Sequence, residues 1–341
     1  MLTLSQNDSA LQETLARRLA EVERRFAAEL HSDLPSVNSL TQHVERYRGK
    51  MLRPTLVLCS ALAAFPERAE DPAFQDQVST VATVVEMVHM ATLVHDDILD
   101  EAEMRRRGAT INHLRGNEAA VMLGDYLISH AYHLCSTIPH TAASRTIAAA
   151  TNVVCEGELL QLHHREDWDL SERTYFEIVR RKTASLCGEC CRMPWVLVSG
   201  RIGAAGDDRA QGLFGYGQKL GIAFQIIDDV LDLQGDQDRV GKSLGRDLAK
   251  GKLTLPLIRH LDGLSPPRRQ QLIQTLRQED ETAAGQRLRH ALTQGDGVEY
   301  AHDWARRLVA DAKQQALTHL ADSPYRQLLL SMADAVITRQ F

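Results

Sequence analysis

The stretch Val81–Gly108, VATVVEMVHMATLVHDDILDEAEMRRRG, decides how the rest of the chain is read. An apolar run ends abruptly in acid and then in base. Neither Gly nor Pro interrupts Val81–Met104, so the spacing predicts one unbroken helix there. On that helix Asp96 and Asp100 share a face, and Asp97 sits on its flank. Two carboxylates about 4 Å apart repel by roughly 4 kcal/mol at an effective dielectric near 20. Three of them beside an apolar helix need a cation, a proton or plain exposure. They also lie near the helix C-terminus, where the macrodipole favours cations. A hard divalent metal answers both problems, and Mg²⁺ commonly joins one or two carboxylates to a substrate phosphate. The competing reading is a solvated acidic face on which Glu101 pairs with Arg105.

The pattern recurs. Asp207 and Asp208 open a long helix that carries Gly212, Gly215, Gly217 and Gly221 and ends in Phe224-Gln225-Ile226-Ile227-Asp228-Asp229-Val230-Leu231-Asp232, with Gly235 as its stop. So many helical glycines imply close helix approach or room for a ligand. Two Asp-Asp-x-x-Asp motifs 132 positions apart, each closing an apolar helix, are far more specific than one. If the helices pack side by side, six carboxylates converge on one mouth, which is untenable without several divalent cations or protons.

Basic residues are placed to meet anions. Arg48-Gly49-Lys50-Met51-Leu52-Arg53-Pro54 puts Lys50 and Arg53 at a helix N-terminus, a natural anion site. Arg181-Lys182-Thr183-Ala184-Ser185 offers a cation and a hydroxyl from mid-helix. Gly241-Lys242-Ser243 and Gly251-Lys252-Leu253 lie in a Gly/Lys-rich loop suited to closing over a phosphate. That loop lacks the Gly of a P-loop and the acidic spacing of an EF-hand.

The chain has 341 residues, 44% of them hydrophobic and only 5% aromatic, which suits helix-on-helix packing. A net charge of -6 argues against general nucleic-acid binding. The six Cys show no secreted disulfide spacing, and the CxxC at Cys187–Cys190 lacks a second ligand pair for zinc. Free thiols in a reducing, cytoplasmic compartment are expected. No secretory signal and no transmembrane segment are expected. Leu11, Leu15, Leu19, Val22, Phe26 and Leu30 mark an N-terminal amphipathic helix of about five to six turns. Pro66–Asp76 reads as a polar connection. Trp304, Leu308, Ala312 and Leu317 are expected apolar positions of a late helix. With no strand alternation, linker or repeat, one all-α domain spanning 1–341 is the simplest account.

The ordered markers GKMLRP, HMATLVHDDILDEAEMRRRG, EGELLQL, KTASL, FQIIDDVLD and GKSLGRDLAKGKLTLP resemble the trans-isoprenyl diphosphate synthases, the polyprenyl synthetase family, and most nearly its bacterial long-chain enzymes. The resemblance implies a single-domain helical bundle around a deep central cavity. It also implies a homodimer and Mg²⁺-dependent 1'-4 condensation of isopentenyl diphosphate onto an allylic diphosphate of geranyl or farnesyl type. On the matching positions, Asp96, Asp97 and Asp100 hold Mg²⁺ against the allylic diphosphate, and Asp228, Asp229 and Asp232 hold a further ion, two or three in all. Lys50, Arg53, His89 and Arg106 bind isopentenyl diphosphate. Arg105, Lys182, Thr183, Gln225, Lys242 and Lys252 surround the allylic diphosphate. Two departures stand out: Arg48 replaces a common Gly, and Arg107-Gly108 inverts the usual order.

The growing tail is expected to run up the first acidic helix past Ala91, Thr92 and Val88. Those residues are small where short-chain relatives carry aromatics, so a product of about C30 to C50, near C40, is expected. Quinone side chains are the expected pathway, with transient membrane contact on product release. A class I terpene cyclase would lack the second motif in this form and the isopentenyl site. A non-catalytic partner subunit would have lost acidic residues, and a structural bundle would not explain the ordered basic ones.

Overall fold

The computed structural model describes residues 9–45, 49, 51–105, 108–234, 246–278, 287, 290–292 and 295–339. The expected all-α class holds. Among the described residues the strands are one antiparallel pair, β1 Met104–Arg105 and β2 Gly108–Ala109, in register Met104 with Ala109. The chain forms two compact units, Met1–Thr151 with Leu186–Gly217 and Gln315–Ser331, and Asn152–Ser185 with Gln218–Gln314 and Met332–Phe341.

In the first unit α1 (Ser9–Glu29), α2 (Pro35–Glu45), α3 (Leu52–Ala64), α4 (Pro72–Leu99), α5 (Ile111–Arg115) and α6 (Asn117–Ser136) follow in order. Helix α4 packs against α6, α3 and α1. From α1, Val22 and Phe26 are buried as the periodicity requires, and so is Leu30 just after it. By length and apolar composition α4 could cross a membrane, but 78% of that window is buried inside the folded protein, as in a core helix.

The boundaries of α4 differ from the sequence expectation at both ends. Its start lies at Pro72, inside the stretch Pro66–Asp76 expected as a polar connection, because Asp71 caps it by accepting from the Ala73 and Phe74 amides. Its end lies at Leu99 rather than Met104. Glu101 adopts φ 48°, the Ala102 amide donates to the Asp97 carbonyl, and the Glu101 amide donates to the Ile98 carbonyl. That is a Schellman ending with Glu in the place Gly usually takes, and no sequence signal announced it. Asn112 then donates to the Asp97 and Ala102 carbonyls, satisfying groups left over at the helix end.

The second unit holds the latter part of α7 (Ala142–His163), α8 (Glu172–Val179), a five-residue π-helical turn Arg180–Ala184, and the latter part of α10 (Asp208–Gln234). It continues with α11 (Arg246–Ala249), α12 (Leu255–Asp262), α13 (Pro266–Gln278), most of α14 (Gly297–His319) and the end of α15 (Pro324–Ile337). The intervening α9 (Ser185–Ser199) lies almost wholly in the first unit. There Gly217 of α10 serves packing: a Cβ on it would sit 2.3 Å from the Cys187 carbonyl oxygen of α9. In α14 the buried ridge is Ala301, Ala305, Val309, Ala312 and Ala316, whereas the expected Leu317 is 45% exposed. Small residues let that helix pack closely, so the large apolar side chain was the misleading one.

Candidate functional site

The end of α4 carries the first acidic set. Asp96 and Asp100 are partly exposed one turn apart, joined by the Asp100 amide donating to the Asp96 carbonyl at 2.8 Å. Asp97 is different. It is 1% exposed, and Arg105 of β1 grips it, with Nη2 2.7 Å from Oδ1 and Nε 2.9 and 3.0 Å from the two carboxylate oxygens. Asp97 thus faces inward to a guanidinium, and Arg105 is engaged with it.

Also in the first unit, Arg53 stands in the first turn of α3, as expected, half-buried. Its Nε is buried with no hydrogen-bond partner among the described residues. Met51, just before, takes the left-handed conformation at φ 53°. His89 is half-buried, and its carbonyl accepts from Thr92 Oγ1 at 2.8 Å. Val88 and Ala91 are fully buried, and Thr92 is half-buried. Lys50, Arg106 and Lys242 lie outside the described residues.

The second unit contains a cavity of about 90 Å³ that gathers many of the expected residues. Lys182, Thr183, Gln225, Asp229 and Lys252 line it, joined by Tyr175 and Asp247. The π turn explains how Lys182 and Thr183 come to stand there. An inserted residue shifts side chains off the normal helical register, and such bulges concentrate at functional sites. Gly157 of α7 makes the turn's position possible, because a Cβ there would lie 2.4 Å from the Lys182 amide nitrogen. Lys182 donates to Gln161 Oε1 at 3.0 Å and pairs with Glu158. Just before it, Arg180 and Arg181 both bind Glu177, whose carboxyl falls to about 2, chiefly through the Arg180 hydrogen bond.

Asp229 sits at the centre of this wall, 4% exposed. Tyr175 donates to its Oδ2 at 2.6 Å, Gln225 Nε2 donates to its Oδ1 at 2.9 Å, and Thr183 Oγ1 donates to Gln225 Oε1 at 3.1 Å. Burial pushes the Asp229 carboxyl well above the usual range, and the charge of Asp247 adds to this. Burial beside Asp229 pushes the Tyr175 phenol up as well, so the tyrosine keeps its proton and acts as donor. Like Asp97, the middle aspartate is held inward by protein donors.

The flanking aspartates remain partly exposed. Asp228 pairs with Arg339, whose guanidinium lies 4.3 Å from the centre of the Phe224 ring, and Asp232 accepts from the Asp247 amide at 3.3 Å. Among the described residues no three His, Cys, Asp or Glu side chains converge as a metal cage. The partly exposed carboxylates are hard-oxygen pairs four residues apart, Asp96 with Asp100 and Asp228 with Asp232. Such pairs fit Mg²⁺, which keeps waters and substrate phosphates among its ligands.

Sequence reasoning missed Tyr175, Asp247 and Arg339. Tyr175 reads as an apolar position of α8, and only its buried hydroxyl betrays a role. Arg339 is separated from Asp228 by 111 positions, and no local pattern links them.

Residues 35–293 match the polyprenyl synthetase family. The chain is 32% identical over 336 residues to the octaprenyl diphosphate synthase of Escherichia coli (strain K12), covering 98% of this chain and 99% of that one. It is 31% identical over 335 residues to a short chain isoprenyl diphosphate synthase of Methanothermobacter thermautotrophicus, covering 96% and 98%. The crystal structure of a polyprenyl synthase from Caulobacter crescentus CB15, complexed with calcium and isoprenyl diphosphate, matches at a TM-score of 0.85 and 30% identity, covering 96% and 97%. Relatives of nearly equal identity are named for different product lengths, so what they share is the family and its prenyl transfer. This chain belongs to the polyprenyl synthetase family and is a prenyltransferase that acts on isoprenyl diphosphates.

Proposed function

We propose that the protein is a long-chain all-trans polyprenyl diphosphate synthase, one domain over its whole length, adding isopentenyl diphosphate head-to-tail to an allylic diphosphate. The observation that carries this is the convergence of Lys182, Thr183, Gln225 and Lys252 on one cavity beside Asp229. Cations and polar donors gathered at a wall are what a departing diphosphate needs.

Asp96 and Asp100, with Asp228 and Asp232, would hold two or three Mg²⁺ ions. Bound Mg²⁺ supplies positive charge against the leaving diphosphate. Lys182 and Lys252 add charge at the same group, and Lys242 joins them on this reading. Loss of diphosphate leaves an allylic carbocation, which survives only where apolar walls exclude water. The double bond of isopentenyl diphosphate, held by Lys50, Arg53, His89 and Arg106, attacks it. The proton then lost passes to the departed diphosphate, so no dedicated side-chain base is needed.

A product of about C30 to C50 is supported by the small side chains at Ala91 and Thr92 and by the named product of the Escherichia coli relative. A homodimer is supported by exposed apolar residues along α5 and α6, Leu114, Val121 and Met122. The free cysteines, five of them buried, suit a reducing cytoplasm, and quinone side chains are the pathway a long product would serve. Incubation with labelled isopentenyl diphosphate, geranyl or farnesyl diphosphate and Mg²⁺ tests the reading. Chelator-sensitive prenyl products support it; absence of product with every starter opposes it.

A further inference from the structure

Tyr175 has no part in the reading above, yet its hydroxyl reaches into the middle of the acidic motif. The residue is 4% exposed, and its 2.6 Å hydrogen bond to Asp229 Oδ2 is buried. Four side chains from three elements form one directed chain. Tyr175 of α8 and the Gln225 amide of α10 both donate to Asp229, and Thr183 of the π turn donates to the Gln225 carbonyl oxygen. The two donors, one to each oxygen, fix the Asp229 rotamer. An amide has one donating and one accepting end, so Asp229 also fixes which end Gln225 shows to Thr183. The orientation of Thr183 at the cavity wall therefore depends on a phenol that the cavity barely exposes.

We propose that Tyr175 is a positioning residue of the diphosphate site. By holding Asp229 inward it sets the Gln225 amide and the Thr183 hydroxyl beside Lys182, and leaves Asp228 and Asp232 as the outward-facing carboxylates of α10. This rests on the assignment of the cavity to an allylic diphosphate. Without the phenol, Asp229 Oδ2 becomes a buried polar atom lacking its partner, and such a group turns outward. That change releases Gln225 from its fixed orientation and brings a third carboxyl group toward the cation-binding pair.

The test is Tyr175→Phe in the full chain, which keeps the ring and its packing. Two quantities are read: steady-state kinetics with farnesyl diphosphate, and calorimetric binding of inorganic pyrophosphate with Mg²⁺ in the absence of prenyl substrates. The expected result is an increase of about tenfold in KM for the allylic substrate and a matching loss of pyrophosphate affinity, with kcat changed less. Asp229→Asn is expected to do the same, and the double variant is expected to be no worse than the worse single one. A tyrosine that only fills space would leave KM and pyrophosphate affinity unchanged in Tyr175→Phe, and that result overturns the proposal. If Tyr175→Phe does not fold, Asp229→Asn decides, since wild-type KM in that variant is equally fatal. A wild-type protein that neither binds pyrophosphate nor forms product removes the diphosphate assignment itself, a failure distinct from that of Tyr175.

Discussion

Arg105 reaches back from the strand after α4 and holds both carboxylate oxygens of Asp97, with its Nη2 2.7 Å from Oδ1 and Asp97 only 1% exposed. The pair joins the helix end to the basic segment that follows, so the geometry of Asp96 and Asp100 depends on it. Removing one partner of such a pair strands a buried charge at a cost of about 3–5 kcal/mol. Arg105→Gln is accordingly expected to lower urea-unfolding stability by roughly that amount. Arg105→Lys keeps the charge but loses the two-pronged geometry, and is expected to fall between it and wild type. If Arg105→Gln abolishes activity at wild-type stability, the arginine acts on substrate alone.

Gly157 lies where α7 approaches the π turn. A methyl group there would stand 2.4 Å from the Lys182 amide nitrogen and 2.9 Å from its Cα, and backbone cannot step aside as a flexible side chain can. Gly157→Ala is expected to cost about 1–3 kcal/mol and to displace Lys182 and Thr183 from the cavity. Activity should fall by more than the loss of stability explains. Thermal unfolding together with kcat/KM measures both, and wild-type values for each would show that the turn has room to move.

Much of this site was legible in the chain. Both acidic motifs announce themselves by repetition at the ends of apolar helices, and Lys182, Thr183, Gln225 and Lys252 fall together where the motif order placed them. The interior of each motif was not legible. Asp97 looks no different from Asp96 in sequence, and only tertiary contact with Arg105 turns it inward. Glu101 ends α4 in a conformation that favours glycine, so the helix expected to reach Met104 stops at Leu99. Tyr175 and Arg339 meet the second motif across 54 and 111 positions, beyond the reach of any periodicity.

Glu177 braces the turn that carries Lys182, and its carboxyl is lowered to about 2 by hydrogen bonds from Arg180 and then Arg181. A depressed acid stabilises the fold above its unfolded value of about 4.3 and loses that contribution as pH falls toward the folded value. The group is partly exposed and screened by solvent, so the effect is at most about 1 kcal/mol. Wild type should therefore melt slightly above Glu177→Gln at neutral pH. The gap should close between about pH 4.3 and pH 2. A gap independent of pH would place the effect in packing.

Ala91 is fully buried in α4, one turn and a residue before Asp96. Ala91→Phe is expected to shorten the product by blocking the path of the tail, and to cost about 1–3 kcal/mol through overpacking. Product chromatography of the folded variant decides. An unchanged length would show that the growing chain takes another route.

The length of the product made from farnesyl diphosphate, labelled isopentenyl diphosphate and Mg²⁺ tests the account most directly. Successive C5 additions ending at about C40, abolished by chelation, are expected. A product that stops at one or two additions, or a protein that only hydrolyses the allylic diphosphate, would contradict it.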